Sequence, residues 1–192
     1  MANIRTFIAV DISEEQRSQA QRLADRLGGN GDGYRWTEPL NYHLTLHFLG
    51  EILETEITDV CRRIKRVAEG FSGFEMSVEG AGAFPAVDRP RTIWAGVERG
   101  REQICELQAA VSETMEDMGF PGENRKYQPH LTLGRIKRAG RFDPSMQQSL
   151  EKHANFDCGV TFVDEVVVYS SFLDRSGPSY TAVSRSKLGP GA

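Results

Sequence analysis

The chain has 192 residues, 39% hydrophobic and 26% charged, with a formal net charge of -4. That length supports one domain with a real core or two small lobes sharing one, and the composition excludes a disordered chain. The acidic balance argues against a protein that grips long duplexes through many phosphates, and leaves room for a small anionic substrate held by a few local cations.

The opening MANIRTFIAV carries one charge and no long apolar run before a cleavage site, so no signal peptide is expected. Ile4 to Val10 is rich in β-branched and aromatic residues and predicts a strand. Ser13 is a good N-cap for a helix with Glu14, Glu15 and Gln16 in its first turn and Ala20, Leu23, Ala24 and Leu27 on one face. Gly28-Gly29 stops it, and a loop runs to Gly33. Tyr34 to Trp36 reads as a short strand, Glu38 to Asn41 as a turn, and His43 to Leu49 as an alternating strand. A second helix starts at Thr55 or Glu56, with Ile57, Val60, Cys61, Ile64, Val67 and Ala68 along one face.

Phe74 to Ala83 and Arg91 to Val97 predict two strands joined by a Pro85–Pro90 loop. A third helix covers about Arg101 to Met118, with Ile104, Leu107, Ala110, Val111 and Met115 apolar, and Gly119 to Gln128 is a loop. His130 to Lys137 is a strand. Asp143-Pro144 starts a fourth helix with proline at its first position. Phe156 to Val163, Glu165 to Leu173 and Tyr180 to Ser186 close the chain as strands, and the tail from Gly189 to Ala192 is expected to be loose. Helices and strands are interspersed without a Gly-rich phosphate loop or a low-complexity linker. The expectation is an α+β fold, one domain over residues 1–192 made of two intimately packed lobes.

Cys61, Cys105 and Cys158 are odd in number and widely spaced, so idle thiols in a reducing cytoplasm are expected, with no disulfide framework or zinc knuckle. No apolar stretch approaches the ~20 residues of a membrane span. A cytoplasmic monomer without a membrane partner or cofactor is expected.

The tetrapeptide HLTL occurs twice, as Tyr42-His-Leu-Thr-Leu46 and Pro129-His-Leu-Thr-Leu133. From average composition an exact second copy arises by chance on the order of once in several hundred such chains. In a strand, residues i and i+2 share a face. His43 therefore projects with Thr45, and His130 with Thr132, while the leucines turn the other way into the core. Two such strands facing one cleft would hold two imidazoles and two hydroxyls. That set suits in-line displacement at phosphorus, because the base and the acid must stand on opposite sides of the phosphorus atom. Imidazole titrates near pH 6.5, so a neutral and a protonated ring can coexist near neutrality. The threonine hydroxyls can donate to non-bridging oxygens. Arg135 extends the second copy as His-x-Thr-x-x-Arg and suits a bidentate phosphate contact. At i+5 it falls on the wrong face of an ideal strand, and needs a bulge or the strand end to reach the phosphate.

At these residues the chain resembles the 2H phosphoesterase superfamily, and most of all the RNA 2',3'-cyclic phosphodiesterases, also called 2'-5' RNA ligases. The segments RTFIAVDI, RWTEPLNYHLTLHFLGE, GAFPAVDRPRTIWAGV and YQPHLTLGRIKR carry the resemblance, in family order and spacing, over nearly the whole chain. It implies a bilobal fold of two antiparallel sheets facing a central cleft, helices outside, and an internal pseudo-two-fold. It implies metal-independent hydrolysis of RNA 2',3'-cyclic phosphate ends to 2'-phosphates and, by reversal, 2'-5' joining of RNA ends. By position, His43 would be the proton donor to the leaving 3'-oxygen, His130 the proton acceptor that activates water, and Thr45, Thr132 and Arg135 the phosphate-binding residues. His47 departs from the family pattern, where lysine frequently stands.

Other readings stand beside this one. The same catalytic pair could serve a small nucleotide or ADP-ribose cyclic phosphate, or the chain could be a non-catalytic RNA-binding module. His43 and His47 are unsuited to one zinc, since on a regular strand they lie about 13 Å apart at ~3.3 Å per residue. His47 is expected at the cleft rim or surface, and His153 exposed on the fourth helix. Arg62, Arg63, Lys65 and Arg66 read as a solvated helix face, and Lys137, Arg138 and Arg141 as candidates for an RNA backbone. Among Tyr42, Phe48, Phe84 and Tyr127, one could stack on a base, although core packing is the expectation for each. Trp36 and Trp94 are expected in the core.

Overall fold

The computed structural model describes residues 3–28, 33–137, 144–173 and 177–190. In chain order these form β1 (Asn3–Asp11), α1 (Glu14–Arg26), β2 (Tyr34–Trp36), β3 (His43–Leu53), α2 (Ile57–Glu69), β4 (Phe74–Phe84), β5 (Thr92–Val97) and α3 (Arg101–Glu116). Then come β6 (His130–Ile136), α4 (Pro144–Lys152), β7 (Asp157–Val163), β8 (Glu165–Leu173) and β9 (Pro178–Lys187). Single turns of 3-10 helix at Pro39–Asn41 and Glu54–Glu56 precede β3 and α2.

The local signals act as expected. Ser13 Oγ accepts the Gln16 N–H at 3.1 Å and caps α1, which buries Ala20, Leu23 and Ala24. Val60, Ile64 and Ala68 form the buried stripe of α2, and Ile104, Leu107, Val111 and Met115 that of α3. Three details differ from the sequence reading. β3 runs on to Leu53, because β1 begins at Asn3 and keeps pairing with it there. Gln16 is fully buried; its amide donates to Gly159 O at 2.8 Å and its carbonyl accepts from Thr161 Oγ1 at 2.8 Å, which ties α1 to β7. Gly189 is not loose: its N–H donates to Ala68 O at 3.1 Å and it bridges to Ser72. Asp143, and the candidate RNA cations Arg138 and Arg141, lie outside the described residues.

The strands form two antiparallel sheets, ordered β3-β1-β8-β9 and β2-β6-β5-β4-β7. The second repeats the first with β2 added at the β6 edge, which is the expected pseudo-two-fold. The halves exchange elements. β4 closes the first half of the chain yet lies in the second sheet, and β8, from the second half, lies in the first. Likewise α1 packs on β6 and β7, while α3 packs on β3 and α2. α2 lies over β8 and β9, and α4 over β4. The buried side chains of both sheets and all four helices make one cluster.

Each motif strand carries an extra residue at the same place, and β3 carries a second at Leu49, where Phe7 pairs with Phe48 but Thr6 with Gly50. Ala9 pairs with Thr45 but Ile8 with His47, so Leu46 is the extra residue in β3. Trp94 pairs with Thr132 but Ile93 with Gly134, so Leu133 is the extra residue in β6. At each bulge two consecutive residues face the core: Leu46 and His47 in β3, Leu133 and Gly134 in β6, all buried. Beyond the bulge the alternation resumes with its parity reversed. Phe48 and Arg135, both exposed, thereby join the His-Thr face of their strands.

Gly134 is required at its bulge by space. A Cβ there would stand 2.9 Å from Trp36 Cε3 and 3.2 Å from Arg35 O, both on β2. Gly134→Ala should push β2 off β6 at a cost of about 1–3 kcal/mol. For a chain this size that is a fall in thermal midpoint of several degrees, at roughly 2–4 °C per kcal/mol. An unchanged midpoint by differential scanning calorimetry would show that the bulge accommodates a side chain.

Candidate active site

His43 is the first residue of β3 and His130 the first of β6. His43 Nδ1 lies 2.8 Å from Asn41 O, and His130 Nδ1 lies 2.7 Å from Gln128 O. A carbonyl oxygen only accepts, so each Nδ1 carries the proton and each Nε2 is left for chemistry. The same backbone trick, a bond to residue i−2, fixes both rings. His43 Nε2 meets Thr45 Oγ1 at 3.0 Å. Phe7 stacks on His43 at 4.8 Å between centroids and Tyr180 meets it edge-on at 5.3 Å. His130 is met edge-on by Phe84 at 4.9 Å and flanked by Trp94 at 6.5 Å. The rings are thus immobilised by aromatic walls as well as by hydrogen bonds.

The two strands pack against each other, one from each sheet, and His130 is among the groups that disfavour a charge on His43. Tyr180, which touches His43, feels the positive charge of Arg135. Arg135 also disfavours a charge on His130. The bulge has therefore delivered Arg135 to the cleft that holds both imidazoles. Thr132 shares the His130 face of β6 and is half-buried. All five residues singled out in the sequence converge.

The two histidines differ in what surrounds them. Burial lowers the pKa of both. Against that, His43 is raised by the Asn41 carbonyl and by Asp11, which stands opposite it on β1. His130 is raised by the Gln128 carbonyl, lowered further by Arg125 and Arg135, and raised again by Glu123, the ion-pair partner of Arg125. Asp11 is itself held by Tyr169 Oη–H at 2.6 Å and by Arg185 Nη1 at 2.9 Å. Arg185 also pairs with Glu165.

His47 is not at the rim. The bulge turns it inward and leaves it 4% exposed, on the opposite face from His43, so the two share no ligand position. Its Nε2–H donates to Phe120 O at 3.1 Å, and Ser112 Oγ–H donates to Nδ1 at 2.9 Å. Tyr127 Oη–H donates to Thr45 O at 3.0 Å. Loop 119–128, which leads into His130, is thus tied to the His43 strand near both its ends. His153 is half-buried rather than exposed, because its Nδ1–H turns back to Ser149 O at 2.8 Å and its ring meets Phe156. Arg62, Arg63, Lys65 and Arg66 do form an exposed face, and Lys137 is exposed. Of the four aromatics considered for stacking, Tyr42 is core, Tyr127 is a tether and Phe84 packs on His130, whereas Phe48 is 48% exposed on the cleft face. Trp36 and Trp94 are half-buried, each with its indole nitrogen enclosed. Cys61, Cys105 and Cys158 are free thiols, the last buried and pushed up to about 12. Sequence reasoning passed over Asp11, Tyr169, Tyr180 and Arg5. Asp11 could have been found by continuing the period of two from Phe7.

Two His-x-Thr strands from two lobes facing one cleft define a 2H phosphoesterase. The chain belongs to the LigT-like phosphoesterase family, whose pattern matches it twice, over residues 10–94 and 96–180. Among its relatives, the RNA 2',3'-cyclic phosphodiesterase of Thermotoga maritima is 35% identical over 177 residues, which is 92% of this chain and 91% of that one. That of Methanothermobacter thermautotrophicus is 34% identical over 185 residues, 96% and 99% of the two chains. TT0787 of Thermus thermophilus superposes with a TM-score of 0.82 at 28% identity, over 98% of this chain and 100% of that one. E. coli LigT complexed with 3'-AMP superposes with a TM-score of 0.77 at 26% identity, over 97% and 98%. No helix among the described residues is long and apolar enough to cross a membrane.

Burial lowers His43, His47 and His130 below the ordinary histidine value of 6.5. The unfolded chain then binds more protons than the folded one once the pH drops below about 6.5, so stability falls on acidification through that window and is level above it. The denaturant midpoint should drop between pH 7.5 and pH 5.5, and by less in His47→Gln, which lacks one of the three titrating groups. A midpoint that rose on acidification would contradict the burial account.

Proposed function

We propose that this chain hydrolyses the 2',3'-cyclic phosphate at an RNA end to a 2'-phosphate without a metal, acting as a cytoplasmic monomer whose residues 1–192 form one catalytic unit. The observation that carries the proposal is the pair of imidazoles, each fixed through Nδ1 so that Nε2 meets the cleft, one from each sheet. The names of its relatives, RNA 2',3'-cyclic phosphodiesterases, point to the same bond.

In the reaction His130 Nε2 takes a proton from water as the water oxygen attacks phosphorus. The P–O3' bond breaks opposite, and His43 gives its proton to the departing 3'-oxygen. A 2'-phosphate and a free 3'-hydroxyl result. Thr45, Thr132 and Arg135 hold the non-bridging oxygens, whose charge increases in the transition state. The division of labour is supported by the surroundings: the carboxylate of Asp11 favours a proton on His43, and the guanidinium of Arg135 disfavours one on His130, where Arg125 and its partner Glu123 act in opposite senses. An anionic phosphate between the rings raises both values toward neutrality. With the 5'-hydroxyl of a second strand in place of water, the same steps open the cyclic phosphate to a 2'-5' phosphodiester and a free 3'-hydroxyl, joining the two ends. A mononucleotide cyclic phosphate is the second reading, favoured by the small ligand 3'-AMP in the LigT structure.

The test is turnover of an oligonucleotide ending in a 2',3'-cyclic phosphate. His43→Ala and His130→Ala should each lose about 10²–10⁴ in kcat while keeping the wild-type circular dichroism. Chelator should leave the wild type unaffected, and its pH profile should be bell-shaped with limbs that belong to the coupled pair. Near wild-type turnover in either folded variant would sink the proposal, and a 3'-phosphate product would reverse the leaving group.

A further inference from the structure

Arg5 and Tyr180 have no part in this acid-base chemistry, yet they sit in its cleft. β1 pairs with β8 without a register break, so Arg5, Phe7, Ala9 and Asp11 share one face. Phe7 stacks on His43, which makes that face the cleft wall. Arg5 stands opposite Ser171, and Ser171 opposite Tyr180, so the three form one row across β1, β8 and β9. The Tyr180 ring packs on Phe7 at 4.9 Å and on His43 at 5.3 Å. The row therefore starts beside the reacting position and ends in an exposed guanidinium. Arg5 and Arg135, one from each sheet, both lower the pKa of the Tyr180 hydroxyl against its burial. The charges of both cations thus act on one hydroxyl. Glu51 stands opposite Arg5 on β3 and is also exposed, so any attraction between them is weak and readily exchanged.

The geometry points to a second phosphate position, formed by Arg5 with the Tyr180 hydroxyl, that takes the phosphodiester on the 5' side of the cyclic phosphate. This rests on the proposed hydrolysis and names its substrate as a polynucleotide end rather than a lone nucleotide. The polarity is consistent. His43 protonates the 3'-oxygen, so the terminal ribose lies on the His43 side, and its 5'-phosphate leads along the Tyr180–Arg5 row. Arg135 serves the reacting phosphate, and Arg5 the next one.

Three substrates test it: cytidine 2',3'-cyclic phosphate, the same nucleotide with a 5'-phosphate, and a dinucleotide ending in the same cyclic phosphate. The wild type should favour the second and third over the first by roughly tenfold or more in kcat/KM, as a charged hydrogen bond would give. Arg5→Gln should collapse that preference through KM, with Arg5→Lys restoring part of it and Tyr180→Phe giving an intermediate loss. The salt dependence of KM for the dinucleotide should lose about 0.7 of a log-log unit of slope in Arg5→Gln, the contribution of one phosphate contact to a single strand. A merely structural role for Arg5 would move neither the preference nor the slope. A wild type without the preference, or an Arg5→Gln variant that keeps it, overturns the inference and leaves the hydrolase reading standing. No turnover of any of the three overturns the hydrolase reading and the inference with it.

Discussion

The extra residue that follows the His-x-Thr triplet in each motif strand governs the geometry of the cleft. A regular strand can present residues i and i+2 to one face, but never i and i+5. Leu46 and Leu133 break the count, and each break is stabilised from outside its own strand pair. The Leu46 carbonyl accepts from Gln108 Nε2 at 3.3 Å, and the Leu133 carbonyl from the Thr37 N–H at 2.8 Å. An unpaired buried carbonyl is costly, so these partners hold the bulges in place. The site is set by this register. Without the bulges Arg135 and Phe48 would turn toward the core, and His47 would enter the cleft beside Thr45.

The exchange of elements between the halves gives that register a rigid setting. Because β4, β8, α1 and α3 each serve the sheet of the other half, neither sheet keeps a closed core if the lobes part. The cleft is then a fixed distance between two walls of one packed body. His47 and Tyr127 add to this at the site itself, since they fasten the loop before His130 to the strand that carries His43. A proton donor and acceptor on opposite sides of one phosphorus need that fixity, because misplacement of either by about an ångström costs orders of magnitude in rate.

The parts legible in the sequence were those with local causes. Ser13 caps because of its own hydroxyl, the helix faces follow a 3.6 period, and the doubled HLTL stands out because histidine is rare. The face of Arg135 was not legible, although the need for a bulge was, since a bulge is a property of two strands and Ile93 and Trp94 lie far from it in sequence. His47 went astray for the same cause: alternation counted from His43 places it in the cleft, and the extra residue reverses it. Gln16 and Gly189 owe their places to Thr161 and Ala68, which no local pattern links to them. Arg5 was hidden by its ordinary setting at the start of an apolar strand.

A two-fold scaffold alone would be a poor catalyst of this kind, because two identical imidazoles have no reason to divide acid from base. The symmetry is broken where it matters and kept elsewhere. Opposite His43 stands Asp11, held in place by Tyr169 and Arg185; at the matching place opposite His130 stands Gly96, which has no charge to offer. Beyond the bulge, one strand presents Phe48 and the other Arg135. In the proposed reaction the Asp11 carboxylate favours a proton on one ring and the Arg135 guanidinium disfavours one on the other, while the shared bond to the i−2 carbonyl orients both rings alike. The repeat supplies positions, and the substitutions within it supply roles. Under the proposed reaction the same break gives the cleft a direction, with the cationic wall toward the reacting phosphate and the Asp11 wall, extended by Tyr180 and Arg5, toward the sugar and the chain that follows it.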